Sequence, residues 1–117
     1  MQTAIINYSY NWNKKLDCQA FTTIRLRQDK KYQVGTTYQV QLNNKALCWV
    51  KIIAIKHFKL IHLNDFMAFI DTGYNCQETI KIIQKMYPNK DWNTQQLSFI
   101  LQQKIAAPAA QATLIGA

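Results

Sequence analysis

The sequence predicts an α+β fold, a small and partly open β-barrel of about five short strands with a helical insertion before the last strand. Three observations predict it. Residues 3–56 contain four segments rich in apolar, β-branched and aromatic side chains, separated by polar turns. Residues 63–87 change to helical periodicity, and a further apolar run follows at residues 97–101. A length of 117 residues with 49% hydrophobic side chains suits one domain with its own core.

Two strands are predicted around a polar connector in the first 27 residues. The segment from Thr3 to Ser9 is apolar and aromatic, as strands are, and Asn11 to Gln19 forms a turn or a short helix. Phe21 to Arg27 alternates, so its side chains divide between two faces of a sheet. The largely apolar face carries Thr22, Ile24 and Leu26, and the other face carries Phe21, Thr23, Arg25 and Arg27.

A hairpin is predicted next. Gln28 to Lys31 is a charged turn, and Thr36 to Leu42 alternates as a half-buried strand does. Asn43 to Lys45 forms the hairpin turn because asparagine tolerates left-handed backbone angles. Ala46 to Lys56 is apolar and β-branched on both faces, which indicates a central strand that pairs with the preceding one.

The helical insertion is predicted between residues 63 and 88. Leu63 to Ile70 forms a short helix, and Asp71 to Tyr74 forms a turn. Asn75 then begins a second helix, since Glu78 follows it at the spacing of a capping box. An apolar stripe runs along this helix, and Pro88 ends it.

The last strand is predicted at Gln95 to Gln103, where it closes the sheet. The small, uncharged residues from Ile105 onward carry no core pattern. We therefore assign residues 1–104 to the folded domain and residues 105–117 to a flexible C-terminal tail.

The basic excess lies in the first half of the chain. The formal net charge is +8, from 14 Lys and Arg side chains and 6 Asp and Glu side chains. Residues 1–60 contain ten of the basic and two of the acidic side chains, whereas the two signs balance in residues 61–104. This one-sided basic field predicts a polyanionic partner such as RNA, or an acidic protein surface.

Several classes of protein are excluded by what the sequence lacks. We expect no membrane partner, since no run approaches the ~18 apolar residues of a spanning helix. The first residues lack the pattern of a secretory signal, and three widely spaced cysteines, Cys18, Cys48 and Cys76, indicate a reducing, cytoplasmic location. His57 and His62 lack partners at metal-ligand spacing and no glycine-rich phosphate loop occurs, so we expect no metal and no cofactor.

One strand and the turn after it resemble a known family. The sequence Phe-Thr-Thr-Ile-Arg at residues 21–25, followed by Tyr-Gln-Val-Gly at residues 32–35, resembles the motif that opens ASCH domains, members of the PUA-like β-barrel superfamily. The strand pair that follows, the helix ending in Met-Tyr-Pro at residues 86–88 and the last strand fit the same layout. The resemblance covers roughly residues 3–104 and implies a PUA-like barrel.

The resemblance also implies a cleft beside residues 21–25 and an RNA or modified-nucleoside ligand. Some ASCH proteins are amidohydrolases that remove an acyl group from the exocyclic amine of a cytidine, with a site similar to a Lys-Thr-Glu constellation. Thr23 matches the threonine of that constellation, and Asp71 lies near the position of its acid. The lysine position falls on Ala20, which leaves Lys14 or Lys15 of the connector to supply the cation.

Three residues are the candidates for chemistry in this cleft. Arg25 has a planar fork that can clamp a phosphate or a base edge, or can form a structural pair. Thr23 either bonds the ligand, and acts as the nucleophile if the protein is an enzyme, or is an ordinary strand threonine. Asp71 either acts as a general base or caps its own turn.

A second group of residues is predicted to surround the cleft. Five cationic side chains are expected to hold phosphates on its rim, or else to be solvated turn residues. They are Arg27, Lys14, Lys15, Lys30 and Lys31.

Aromatic residues are the second feature expected around the cleft. Tyr74 either stacks on a base or packs over its turn. Tyr8, Tyr10 and Trp12 share one face of an extended strand, where they form a stacking platform or cover the barrel core.

Three functions compete at this point. The first is an ASCH-like domain that binds RNA or a nucleotide-like ligand in a basic cleft. The second is a hydrolase acting on acylated nucleosides or RNA, with Thr23, Asp71 and a lysine of the connector. The third is a small protein-interaction module of a mobile element or phage, whose basic face covers an acidic partner.

Overall fold

The chain folds into a mixed five-stranded sheet curled into a half-barrel, with two helices inserted before the last strand. The computed structural model describes residues 4–107. The strands are β1 (Ile5–Tyr8), β2 (Ala20–Leu26), β3 (Thr37–Leu42), β4 (Lys45–Lys59) and β5 (Gln96–Ile105). The helices are α1 (Asp65–Thr72) and α2 (Cys76–Met86), with short 3-10 helices at Trp12–Asp17 and Leu60–His62.

The strand order explains where the half-barrel is open. The order is β1-β3-β4-β5-β2, with β1 parallel to β3 and the other neighbours antiparallel. The first two strands of the sequence are therefore the two edges of the sheet. They approach each other across the opening, where the Nη2 of Arg25 on β2 donates to the carbonyl oxygen of Asn7 on β1 at 2.9 Å.

The strand β4 gives the sheet its curvature. It is 15 residues long and is paired on both sides, to β3 and to β5. Its register with β5 shifts between Ile52 and Ala54, and a bulge of this kind bends the longer strand and increases its twist. The predicted central position is confirmed, although not every apolar side chain of the strand is buried. Leu47 and Ile53 remain 50% and 42% exposed, because the two helices cover only part of the outer face.

Two apolar clusters lie on the two faces of the curled sheet, as the alternation in β2 predicts. The inner cluster fills the half-barrel and includes Phe21 of β2 together with Ile6, Val40, Ile52 and Ile100. The outer cluster packs the helices against the sheet and includes Ile24 and Leu26 of β2 together with Ala68, Ile83 and Leu97.

The local signals for the second helix and the hairpin turn are confirmed. The Asn75 side chain accepts from the backbone N–H of Glu78 at 2.9 Å, and α2 ends at Met86 before the proline. Asn43 and Asn44 have φ values of 52° and 67°, the left-handed angles expected in the turn between β3 and β4.

The predicted turn at residues 71–74 is wrong for its first half. Asp71 and Thr72 form the last turn of α1, which Asn64 caps at its N-terminus by accepting from the N–H of Met67. The helix ends one residue later at Gly73, whose φ of 82° is the left-handed angle usual after a helix. A Cβ at this position would also lie 3.0 Å from the Oδ1 of Asn13. Asp71 is thus a buried helical residue and not a solvated turn residue.

The last strand runs slightly past the predicted end of the folded domain. The last strand continues to Ile105, one residue beyond the predicted limit at residue 104. The predicted tail from residue 108 onward lies outside the described residues. In the part of the chain that the structure covers, no helix is long and apolar enough to span a membrane.

Candidate ligand cleft

A cleft of about 150 Å³ lies at the opening between β1 and β2. The side chains of Thr23 and Arg25 reach it from the edge strand β2, Tyr8 from the end of β1, and Asp71 from the end of α1. The helix α2 and the residue that follows it supply an apolar wall on the remaining side. That wall consists of Ile82, Ile83 and Met86 of the helix, with Tyr87 after it. The structure thus brings three of the predicted site residues, Thr23, Arg25 and Asp71, into one cleft.

Arg25 is held in a fixed orientation beside the cleft. Its Nε donates to the Oγ1 of Thr23 at 3.0 Å, and its Nη2 donates to the carbonyl oxygen of Asn7 at 2.9 Å. The guanidinium carbon lies 4.6 Å from the ring centroid of Tyr8, within the range of a cation–π interaction. Neither hydrogen bond uses Nη1. Arg25 therefore forms structural bonds and lines the cleft with one nitrogen outside those bonds.

Lys15 is buried and does not line the cleft, so this part of the rim prediction is wrong. Its Nζ donates to the Oδ1 of Asp71 at 3.1 Å, and the side chains of the two residues are each only 6% exposed. The 3-10 helix of the connector turns Lys15 inward, where Leu16 beside it joins the inner core. Lys14, the other lysine of the connector, is exposed.

Burial dominates the protonation of this lysine. Desolvation lowers the pKa of Lys15 from 10.5, the charge of Asp71 opposes that shift, and the nearby charge of Arg25 adds to it. The buried environment therefore favours the neutral amine more than water does, even though an aspartate is its direct partner.

Asp71 keeps one carboxylate oxygen outside its structural bonds. The hydroxyl of Thr22 donates to Oδ1 at 2.8 Å, and Lys15 donates to the same oxygen. Neither bond uses Oδ2, and Asp71 lines the cleft. A carboxylate oxygen in this position can accept a hydrogen bond from a ligand N–H or take a proton from a water molecule.

Thr23 has a cation for its neighbour and not a base. It is 3% exposed, and its Oγ1 accepts from Arg25. A guanidinium stays protonated in proteins and cannot activate a hydroxyl by removing its proton. The arrangement therefore suits Thr23 to hydrogen bonding more directly than to nucleophilic attack.

Sequence reasoning missed two polar groups that hold cleft residues in place. The carbonyl oxygen of Asn7 holds Arg25, and a backbone atom carries no signal in the residue pattern. Gln102 is fully buried, and its Oε1 accepts from the hydroxyl of Tyr8 at 3.4 Å. The available signal for Gln102 is its position two residues after Ile100, which places a polar side chain on the inner face of the last strand.

The other predicted rim cations lie away from the cleft. The Nε of Arg27 donates to the Oδ1 of Asp29 at 2.8 Å in an exposed pair, because β2 ends at Leu26 and the chain turns there. Lys30 and Lys31 are exposed in the same turn. None of these three cations lines the cleft, and Lys14 does not line it either, so the structure brings none of the four to the rim.

The predicted common face of three aromatic residues is also wrong. The strand β1 ends at Tyr8, whose side chain is buried in the inner core, whereas Tyr10 is 59% exposed. Tyr10 instead makes an edge contact with Trp12, with 4.7 Å between ring centroids, and Trp12 makes another with Tyr74 at 6.1 Å. Tyr8 thus covers the core, while the other two aromatics join Tyr74 at the mouth of the cleft.

Comparison with known proteins supports the architecture. No protein-family model matches the chain, and no curated protein matches it. Among solved structures, the chain is similar to the crystal structure of protein EF3133 from Enterococcus faecalis V583, of the family DUF984. The TM-score is 0.57 at 8% identity, over 83% of this chain and 71% of that one.

The predicted fold class is confirmed. A likeness at 8% identity shows the fold alone, here a small α+β domain with a half-barrel sheet and a helical insertion before the last strand. The likeness carries no information on the ligand of the cleft or on catalysis.

Proposed function

We propose that this protein binds RNA or a nucleotide-like ligand in the cleft between β1 and β2. The observation that carries the proposal is the state of Arg25. Its guanidinium is held against the ring of Tyr8, its Nη1 is used by neither of its two hydrogen bonds, and it lines the cleft opposite an apolar wall. The resemblance of residues 21–25 to the motif of ASCH domains, which we propose as the family, points to the same class of ligand.

Each part of the cleft suits one part of such a ligand. The wall from α2 offers apolar surface to the face of a base, while the Oδ2 of Asp71 accepts from a base amine. The Nη1 of Arg25, which neither of its structural bonds uses, can donate a charge-assisted hydrogen bond to a phosphate. Because Asp71 is already paired with Lys15, the charge of Arg25 remains available to an anion.

Titration with the four ribonucleoside 5′-monophosphates, followed by NMR of the labelled full chain, tests the proposal. We expect the largest shift changes at the backbone amides of Thr23, Arg25 and Asp71, and an affinity that falls as salt rises because a phosphate is bound. Shift changes confined to the exposed turn at Lys30 and Lys31, or no saturable change with any of the four, would contradict the proposal.

A hydrolase acting on acylated nucleosides or RNA is the second candidate. The observation in its favour is Lys15, a buried lysine of lowered pKa at 3.1 Å from an aspartate that lines the cleft beside Thr23. Perturbed titratable groups of this kind gather at catalytic sites. In such an enzyme Asp71 would activate water as a general base, and Thr23 would bond the substrate or act as the nucleophile.

Incubation with N4-acetylcytidine and with single-stranded RNA separates this candidate from simple binding. If the protein is a hydrolase, product forms with the wild type, and Asp71→Asn lowers the rate by about 100-fold or more, since general base catalysis contributes about 10²–10⁴. Thr23→Val is the parallel variant, because it removes the hydroxyl at nearly constant volume. Equal inertness of all three proteins would exclude the hydrolase and leave the binding function intact.

An acidic protein partner and a cytoplasmic location remain predictions. The exposed apolar side chains of α1, Phe66, Phe69 and Ile70, are compatible with a protein contact on the outer face of the domain. Co-purification of a partner without nucleic acid would favour this third function over the other two.

A further inference from the structure

The cleft is small for the class of ligand proposed for it. Its volume of about 150 Å³ is below the ~300 Å³ at which pockets begin to enclose a drug-sized molecule. A base with part of its sugar fills such a space, so the rest of a bound nucleotide lies outside. The surface around the mouth of the cleft therefore determines what the ligand is joined to.

Three aromatic side chains, here called the aromatic rim, lead outward from the mouth of the cleft. Tyr10 and Trp12 line the cleft, and Tyr74 lies beyond them in contact with Trp12. The rings meet edge to face, at interplanar angles of 61° and 77°. Contacts of this type leave ring faces uncovered, and Tyr10 and Tyr74 are 59% and 50% exposed.

The aromatic rim is held in place by the backbone on both sides. Asn13 and Lys14 follow Trp12 with φ values of 57° and 52°, angles that non-glycine residues adopt at a cost in free energy. The Nδ2 of Asn13 donates to the carbonyl oxygen of Phe69 on α1 at 3.4 Å, and its side chain packs on Gly73 next to Tyr74. These contacts tie the backbone next to Trp12 and the backbone next to Tyr74 to the same helix end, which sets the positions of these two rings.

We propose that the ligand is a single-stranded nucleic acid, of which one base enters the cleft and the next base stacks on the aromatic rim. This inference rests on the proposed function and names its substrate class. Every base has a face that can stack on an aromatic ring, and an unpaired base enters a small cleft without the cost of breaking its base pair. The exposed Lys14 lies two residues after Trp12 in the same connector, where its charge is available to a phosphate of the strand.

The experiment compares mononucleotides with dinucleotides and tetranucleotides of the best-bound base, using isothermal titration of the full chain. Stacking of one more base is worth about 5- to 150-fold in affinity, so we expect a gain of roughly tenfold from mononucleotide to dinucleotide. In Tyr74→Ala we expect a smaller gain in affinity from mononucleotide to dinucleotide, because only the contribution of the added phosphate is left. The affinity for mononucleotides should stay within about twofold of wild type, because Tyr74 does not line the cleft. Tyr74→Phe keeps the ring and should keep the full gain.

Phe66→Ala is the matched control. Phe66 is an aromatic residue of the same helical region, 77% exposed, on a groove of the outer face. Its replacement should leave every affinity unchanged. A dinucleotide gain of equal size in wild type and Tyr74→Ala overturns the inference while the proposed function stands, whereas failure of all mononucleotides and oligonucleotides to bind overturns the proposed function itself.

Discussion

Replacement of Asp71 by alanine is expected to lower the free energy of unfolding by about 3–5 kcal/mol. The carboxylate is the partner of Lys15 at 3.1 Å in a site where both side chains are 6% exposed. Without it, the lysine must be buried as an unpaired charge or lose its proton, and the hydroxyl of Thr22 loses its acceptor as well. Urea denaturation followed by circular dichroism measures the change.

Two controls connect this loss to the buried pair. Glu78→Ala removes a carboxylate from an exposed pair with Lys81 at 3.5 Å, and we expect a change below about 0.5 kcal/mol. The double variant Lys15→Met with Asp71→Leu removes both charges and should recover much of the stability. An Asp71→Ala protein as stable as the Glu78→Ala protein would contradict the role assigned to the pair.

The pH dependence of stability gives an independent readout of Lys15. Since the folded-state pKa of Lys15 lies below the ordinary 10.5, the unfolded chain binds more protons between those two values, and stability rises with pH across that window. Tyr8 acts in the opposite sense. Burial raises its pKa above the ordinary 10.0, so its contribution is complete below that value and is lost as pH rises further. In Lys15→Met the rise in stability with pH should disappear, whereas the loss of stability that Tyr8 causes at higher pH should remain.

Replacement of Arg25 by alanine is expected to weaken nucleotide binding by about 10- to 150-fold. A hydrogen bond to a charged group contributes about 1.5–3 kcal/mol to binding. Because Thr23 and Asn7 already hold Arg25 in place, ordering its side chain on binding costs little free energy. The weakening should appear at every salt concentration, and the dependence of affinity on salt should become less steep by about one phosphate contact. Titration calorimetry at several salt concentrations provides both quantities.

Arg27→Ala is the matched control for this variant. Arg27 lies two residues further along, is paired with Asp29 and does not line the cleft, so its removal should leave nucleotide affinity within about twofold. Arg25→Lys keeps the charge but loses the planar fork, and we expect an intermediate affinity. Because Arg25 also bridges the edges of the half-barrel, each variant is compared at a temperature where it is fully folded. Equal loss of affinity in the Arg25 and Arg27 variants would indicate a diffuse electrostatic surface.

Most of the elements could be predicted because their signals are local. The cap at Asn75, the asparagine turn at residues 43–44 and the alternation of β2 each depend on neighbours within a few positions. Such signals survive in any tertiary context, and the order of strands, helices and last strand follows from them. The fold class was therefore accessible from residue patterns alone.

The candidate site was only partly accessible. Thr23, Arg25 and Asp71 were singled out and lie in one cleft. The burial of Lys15 was not predictable, because its partner Asp71 is 56 residues away in the sequence. Asp71 also belongs to the end of α1, where the sequence predicted a turn. A surface lysine and a buried one carry the same local signal when they stand in a polar connector.

The sequence by itself determined the class of fold, the face of β2 that carries the arginine and the excess of positive charge in the first half. The tertiary structure decided which of those charges meet. It directed Lys15 inward to an aspartate, left Arg27 to a surface pair and fixed Arg25 across the opening of the half-barrel. The physical reason is that charge pairing and burial depend on distances between segments far apart in the chain, whereas propensity and alternation depend on residues beside one another.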